Sequence, residues 1–180
     1  MSAVADTKDW TFTLQRPCPQ CGYDAKAVPA EGLPARLRDA ASPWPGILAA
    51  SGARDRPAPD VWSPLEYACH VRDVCRVMRG RVRLMLDQDD PEFDNWDQDA
   101  SAVQERYGAQ DPQTVGLEVV AAGGQFAELY AGLRADQWQR TGRRGDGATF
   151  TVDSIGRYAL HELVHHLHDV AGPLRGADEG

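Results

Sequence analysis

Apolar residues recur at helical spacing in four separate segments of this 180-residue chain. The clearest segment begins at Ser63-Pro64-Leu65-Glu66, where the serine can cap a helix, the proline suits its first turn and the glutamate can complete a capping box. Valine and methionine residues three or four positions apart continue this pattern to about Leu86. The pattern predicts a long amphipathic helix here.

The first predicted helix starts at Leu33. Pro43 and Pro45 are expected to interrupt it, because proline lacks a backbone N–H and crowds the preceding turn. The last predicted helix follows Thr151, a plausible cap, and runs to about Val170, before Gly172-Pro173.

The third predicted helix follows Asp111 and carries several apolar side chains. Gly123-Gly124 lies in its middle, where each glycine costs about 1 kcal/mol relative to alanine. This pair indicates close packing or a kink. The apolar residues of the segment include Leu117, Val120, Phe126 and Tyr130.

Three segments lack helical periodicity. Residues 1–30 are expected to form an irregular, cysteine-bearing arm, and residues 31–175 a single helical domain. Residues 87–99 are rich in acidic side chains interleaved with Phe93 and Trp96; they are either a solvated loop or a lid over a site. Residues 140–151 contain a glycine-rich turn. The predicted fold is all-α, a four-helix bundle with almost no strand.

Charge and hydropathy exclude several classes of protein. The chain has 19 basic and 27 acidic residues and a pI near 5.0, which argues against a nucleic-acid-binding surface. No signal peptide is recognisable, and no apolar run reaches the ~18 residues of a membrane span. We expect a cytoplasmic protein that acts on a small molecule and can form a homodimer.

The five histidines are distributed unevenly. Residues four and seven apart share a helix face, so His161, His165 and His168 point the same way. Imidazoles at i and i+4 are a recurrent pair of divalent-metal ligands. One histidine lies far from this cluster, and the fifth lies on another face of the last helix; they are His70 and His166.

His70 is expected to face inward from the second helix, where a histidine is often a satisfied core residue. Glu162 and Asp169 are predicted on the solvent side of the last helix, which disfavours a site built on Glu162. Asp73 and Asp169 are candidate hydrogen-bond acceptors for the imidazoles. His168 could replace or supplement His165.

Four cysteines in a reducing compartment are expected to be free thiols. Cys18-Pro-Gln-Cys21 resembles half of a zinc-binding knuckle, but Cys69 and Cys75 do not have the spacing of the other half. A metal site, a redox pair and a simple turn remain open for Cys18 and Cys21.

The pattern Trp62-Ser-Pro-Leu-Glu-x-x-x-His70-x-x-Asp73, combined with His161-x-x-x-His165, resembles the DinB/YfiT-like superfamily, which includes mycothiol-dependent maleylpyruvate isomerases. The resemblance covers residues ~33–172. It implies a four-helix bundle in which the second helix supplies one metal ligand and the last helix two. The implied ligands are His70, His161 and His165.

Three neutral imidazoles leave coordination positions open on an ion such as Zn²⁺ or Ni²⁺, which is typical of a catalytic site. The resemblance implies a metal-dependent transferase or isomerase that uses a low-molecular-weight thiol such as mycothiol. A metal-dependent hydrolase and a non-catalytic metal-binding or stress-response bundle are the alternatives. Neither a substrate nor a general acid or base can be assigned from the sequence.

Overall fold

A computed structural model describes residues 10–174, so the predictions for residues 1–9 and 175 lie outside the described residues. This part of the chain contains six α-helices and three short strands. The helices are α1 (Leu33–Ala41), α2 (Trp44–Ala49), α3 (Pro64–Asp87), α4 (Gln98–Gln104), α5 (Pro112–Ala131) and α6 (Val152–Leu174).

Four of these helices form the bundle. Helix α1 packs against α5 and α6, and α3 packs against the same two helices, so that the four enclose one core. Helix α2 continues the first segment after the break at Pro43 and packs on α5. The four-helix bundle is therefore confirmed, with the first bundle helix broken at its prolines.

The start of α3 has the predicted capping box. Ser63 Oγ accepts a hydrogen bond from the Glu66 N–H at 3.3 Å, and Glu66 Oε2 accepts one from the Ser63 N–H at 2.9 Å. Arg56 also donates to Glu66, at 2.8 Å from its Nε to Oε2. This fixed start sets the rotation of α3 and places His70 inside the bundle.

Helix α5 packs closely on α1 at one of its glycines. A Cβ added at Gly123 would lie 2.5 Å from the Cβ of Ala41, whereas one added at Gly124 would meet nothing within 4 Å. Of the two interpretations of the glycine pair, close packing therefore applies, and to Gly123. Leu117 and Val120 of the predicted apolar set are 63% and 40% exposed.

The glycine-rich segment before α6 is a β-hairpin. Strands β2 (Thr141–Arg144) and β3 (Thr149–Thr151) pair antiparallel, and β1 (Glu92–Phe93) adds to β2 in parallel. Gly147, with a φ of +92°, allows the tight turn. The sequence pattern does not predict this small sheet, because its strands have only two to four residues and little alternation.

The acidic segment folds back onto the bundle. Phe93 is buried, and the Trp96 ring stacks on the His70 ring, with centroids 5.4 Å apart and planes 4° apart. Both aromatic residues therefore pack against the bundle, as the lid hypothesis requires.

The described part of the N-terminal arm packs along α6. It forms short 3₁₀ turns at Trp10–Leu14 and Ala25–Ala27, and its buried side chains join the core. Arg157 of α6 donates a hydrogen bond to the Ala25 carbonyl at 2.7 Å. In residues 10–174, none of the helices combines the length and apolar character needed to cross a bilayer.

Candidate metal centre

Helix α6 carries two adjacent rows of polar side chains. Successive residues of an α-helix are rotated by about 100°, so residues 161 and 165 form one row and residues 162, 166 and 169 form the next. Capping by Thr151, which accepts a hydrogen bond from the Ser154 N–H at 3.0 Å, fixes the start of the helix. The packing of α6 between the arm and α3 then buries most of both rows.

The second row meets His70 of α3. Glu162 Oε2 lies 3.6 Å from His70 Nε2 and 3.6 Å from His166 Nε2. Ligands at 2.0–2.1 Å from a tetrahedral ion are separated by roughly 3.3 Å. His70, Glu162 and His166 therefore form a group that can hold a divalent metal.

The prediction that Glu162 faces solvent is wrong, because its side chain is buried and the residue is only 9% exposed. Burial raises the pKa of Glu162, but the surrounding His161, His166 and His70 outweigh this effect. The pKa of the carboxyl group is therefore held well below its usual range. The carboxylate is therefore ionised and available as a ligand at neutral pH.

Asp169 contacts one histidine from each of the two rows of α6. Its Oδ2 lies 2.9 Å from His166 Nδ1 and 3.8 Å from His165 Nε2. Burial lowers the pKa of His166, whereas Asp169 and Glu162 raise it, to about 9 overall. A carboxylate on the far nitrogen of a histidine fixes the ring and leaves the other nitrogen for a metal.

His70 and His161 contain unusual buried polar atoms. Both ring nitrogens of each are buried and have no hydrogen-bond partner among the described residues. Such an atom costs about 1–3 kcal/mol unless a ligand satisfies it. These ring nitrogens are therefore suited to coordinating an ion, whereas a purely structural histidine would normally have hydrogen-bond partners.

Two cavities open on this group. One, of about 270 Å³, has Trp10, Tyr67 and His166 among its walls; the other, of about 180 Å³, is lined by His70 and Trp96. Glu162, Tyr158 and Gln98 line both. Burial raises the pKa of Tyr158, so its hydroxyl stays protonated and can donate a hydrogen bond to a bound molecule.

The first row of α6 meets the cysteine-bearing arm. His161 and His165 lie with Cys18 and Cys21, and the four candidate ligand atoms are all within 4.8 Å of one another. The structure thus divides the predicted set His70, His161 and His165 between two groups. His168 is exposed and belongs to neither.

The Asp73 carboxylate has no imidazole among its hydrogen-bond partners. Its Oδ2 accepts a hydrogen bond from the Tyr107 hydroxyl at 2.6 Å, and Arg72 pairs with its Oδ1 at 2.9 Å. The hypothesis that it orients a histidine is therefore wrong for the described arrangement, whereas the same role for Asp169 agrees with the contacts.

Sequence reasoning missed Glu162 and His166. The available signal was their separation of four residues, the same as that of His161 and His165. The prediction that Glu162 faces solvent, away from the three-histidine row, argues against a site that includes it. Only contact with α3 shows that this second face is also buried.

Comparison with known proteins agrees with the fold. A sequence model of the DinB superfamily matches residues 32–170. Among solved structures, YfiT from Bacillus subtilis matches with a TM-score of 0.63 and 19% identity, over 81% of this chain and 83% of that one. That protein is described as a probable metal-dependent hydrolase with an unusual four-helix bundle topology. A search of curated proteins found no match.

Proposed function

Because the chain belongs to the DinB superfamily, we propose that it is a metal-dependent enzyme in which His70, Glu162 and His166 hold a divalent ion. The observation that carries this proposal is the convergence of two imidazole nitrogens and one buried carboxylate where two cavities meet. Such an ion would act as a Lewis acid and would lower the pKa of a bound water or thiol toward neutral pH.

Three protein ligands leave part of a coordination sphere open, as in catalytic zinc sites. Zn²⁺ and Ni²⁺ both suit a ligand set of two imidazoles and a carboxylate. Trp96 stacks on His70 and donates a hydrogen bond from its Nε1 to Ser101 at 2.8 Å. It therefore covers the His70 side of the site and helps to exclude water there.

Hydrolysis is the reaction class we place first. The chain shares its fold with YfiT, described as a probable metal-dependent hydrolase. Hydrolysis needs only water and one substrate, and the larger cavity offers aromatic and acidic walls for that substrate. These walls include Trp10, Trp62, Asp60 and Asp99.

A thiol transferase or isomerase is the second candidate, and the two cavities favour it. Transfer from a small thiol, such as mycothiol, requires places for two organic molecules on either side of one reactive centre. The cavities of about 270 and 180 Å³ share Glu162 and Tyr158 and supply such places.

The metal site is tested by metal content in the Cys18→Ser/Cys21→Ser background, where these two thiols cannot contribute. His70→Ala and Glu162→Gln should each abolish high-affinity Zn²⁺ binding, measured by elemental mass spectrometry and chelator competition. Glu128→Gln, an exposed carboxylate on α5, is the matched control. Full metal binding by both site variants would refute the proposal.

The reaction class is tested with the Co²⁺ form of the same Cys18→Ser/Cys21→Ser background. Adding mycothiol should produce a thiolate-to-cobalt charge-transfer band if the enzyme transfers a thiol. A silent spectrum, together with metal-dependent cleavage of nitrophenyl esters that Glu162→Gln abolishes, would support hydrolysis instead.

A further inference from the structure

The four side chains between the arm and α6 have distances suited to tetrahedral coordination. Cys18 Sγ lies 3.7 Å from His165 Nδ1, although the residues are 147 positions apart in sequence. In a tetrahedral zinc site, with Zn–S near 2.3 Å and Zn–N near 2.0–2.1 Å, this separation is about 3.6 Å. Cys21 and His161 complete the group within 4.8 Å.

The backbone around the cysteines is shaped as a tight knuckle. Gly22 has a φ of +74°, and its N–H donates to the Cys18 carbonyl at 2.9 Å. The Cys18 N–H donates to the Tyr23 carbonyl at 2.8 Å. The chain thereby turns back on itself and brings both sulfur atoms to the same side, facing α6.

The surroundings of the group are those of a buried ligand set. Cys18 and both histidines are buried, and His161 has no hydrogen-bond partner for either ring nitrogen among the described residues. His165 Nε2 faces Asp169 Oδ2 at 3.8 Å, so that its Nδ1 is directed at Cys18. Trp10 covers the two imidazoles, with ring centroids 5.4 and 4.8 Å away.

We propose that Cys18, Cys21, His161 and His165 form a second metal site, distinct from the one at His70, which binds Zn²⁺ or a similar tetrahedral ion and fastens the N-terminal arm to α6. Two sulfur and two nitrogen ligands fill a tetrahedral sphere, which makes this site structural rather than catalytic. Each coordinating thiol releases its proton to solvent when the ion binds.

This site also shapes the larger cavity. Trp10 and His165 both belong to the cavity wall, and the arm that carries Trp10 is fixed to α6 through Cys18 and Cys21. Loss of this ion should therefore loosen the wall while the three ligands of the first site remain in the helices. We expect a raised KM, with metal still bound at His70, Glu162 and His166.

The first test uses the unmutated, tag-free protein loaded with Co²⁺. Thiolate ligands should produce sulfur-to-cobalt charge-transfer bands, which EDTA removes. Differential alkylation with iodoacetamide should show Cys18 and Cys21 protected until chelator is added, with Cys69 and Cys75 as internal references. Neither measurement requires a substitution that could impair folding.

The second test compares metal content between variants. Wild type should hold one more equivalent of zinc than Cys18→Ser/Cys21→Ser, and His70→Ala should retain the cobalt–thiolate bands. Cys75→Ala, a buried cysteine outside the group, should lose no metal. Loss of one zinc in Cys18→Ser/Cys21→Ser supports the second site by itself. If His70→Ala loses no metal, only the first site is refuted.

Three outcomes would overturn the proposal. One is a Co²⁺ spectrum without thiolate bands, and another is alkylation of Cys18 and Cys21 that chelator does not change. The third is a disulfide between the two cysteines in the purified protein under reducing cytosol-like conditions, which would make them a redox pair.

Discussion

Glu162 lies between the two groups of candidate ligands. Its Oε2 faces His70 and His166, and its Oε1 lies 3.6 Å from His161 Nδ1. A buried carboxylate is costly unless positive charge or hydrogen bonds compensate it, and here three imidazoles surround it. The single Glu162 side chain therefore contacts histidines of both groups.

Asp169 is expected to position His166 and, more weakly, His165. Asp169→Ala removes the acceptor 2.9 Å from His166 Nδ1 and should weaken metal binding by about 10–100-fold, the usual effect of losing such a partner. Asp169→Asn keeps an acceptor without the charge and should have a smaller effect. Chelator competition with Zn²⁺ measures both.

The control for these variants is Asp39→Asn, an exposed carboxylate on α1. It should leave zinc affinity unchanged. Wild-type affinity in Asp169→Ala would show that the ring of His166 is held without this carboxylate.

At the scale of elements, α6 carries two ligand rows because it has two buried sides. The row at 161 and 165 faces the arm, and the row at 162 and 166 faces α3. A surface helix typically buries one stripe, so the sequence pattern predicts a single ligand face. The short arm, rather than another helix, covers the additional side.

The α1–α5 interface offers a matched pair of substitutions. Gly123→Ala places a methyl group 2.5 Å from the Ala41 Cβ and should destabilise the protein by about 1–3 kcal/mol, as overpacking usually does. Gly124→Ala meets nothing within 4 Å and should stabilise it by about 0.5–1 kcal/mol, since alanine is the better helix former.

Urea unfolding followed by circular dichroism gives both free energies. Equal effects of the two substitutions would contradict the asymmetric packing of α5. The slope of the free energy against urea should stay the same, because neither change alters the surface exposed on unfolding.

For the whole molecule, metal binding and folding should be linked. The arm contributes Cys18, Tyr23 and Val28 to the core, and its ligands meet those of α6 only in the folded chain. An ion that binds only the native state at a hundred times its dissociation constant stabilises it by about 2.7 kcal/mol.

Chelation should therefore lower the melting temperature of the wild-type protein by roughly 5–10 °C for a chain of this size. Adding Zn²⁺ back should restore it in a concentration-dependent manner, measured by calorimetry. The combined His70→Ala/Cys18→Ser/Cys21→Ser variant is the control and should not respond. A wild-type melting temperature that chelator leaves unchanged would contradict the linkage.

Local patterns predicted much of the fold. The capping box at Ser63, the interruption at Pro43 and the start of α6 after Thr151 all depend on residues within one or two turns. The sequence does not predict which side of α5 is buried, because its apolar residues lie around most of the helix and leave Leu117 exposed. Apolar periodicity shows where a helix lies in the sequence. It does not show which side of the helix faces the core when apolar residues occur on several sides.

The sequence by itself determined that this chain is a helical bundle with a histidine-rich last helix and a Cys-x-x-Cys pair near its start, since these features follow from spacings of a few residues. The tertiary structure decided which groups meet: Cys18 with His165, 147 residues away, and His70 with Glu162 and His166. The physical reason is that local spacing fixes the rows on α6, whereas the neighbours of each row depend on how the arm and α3 pack around it.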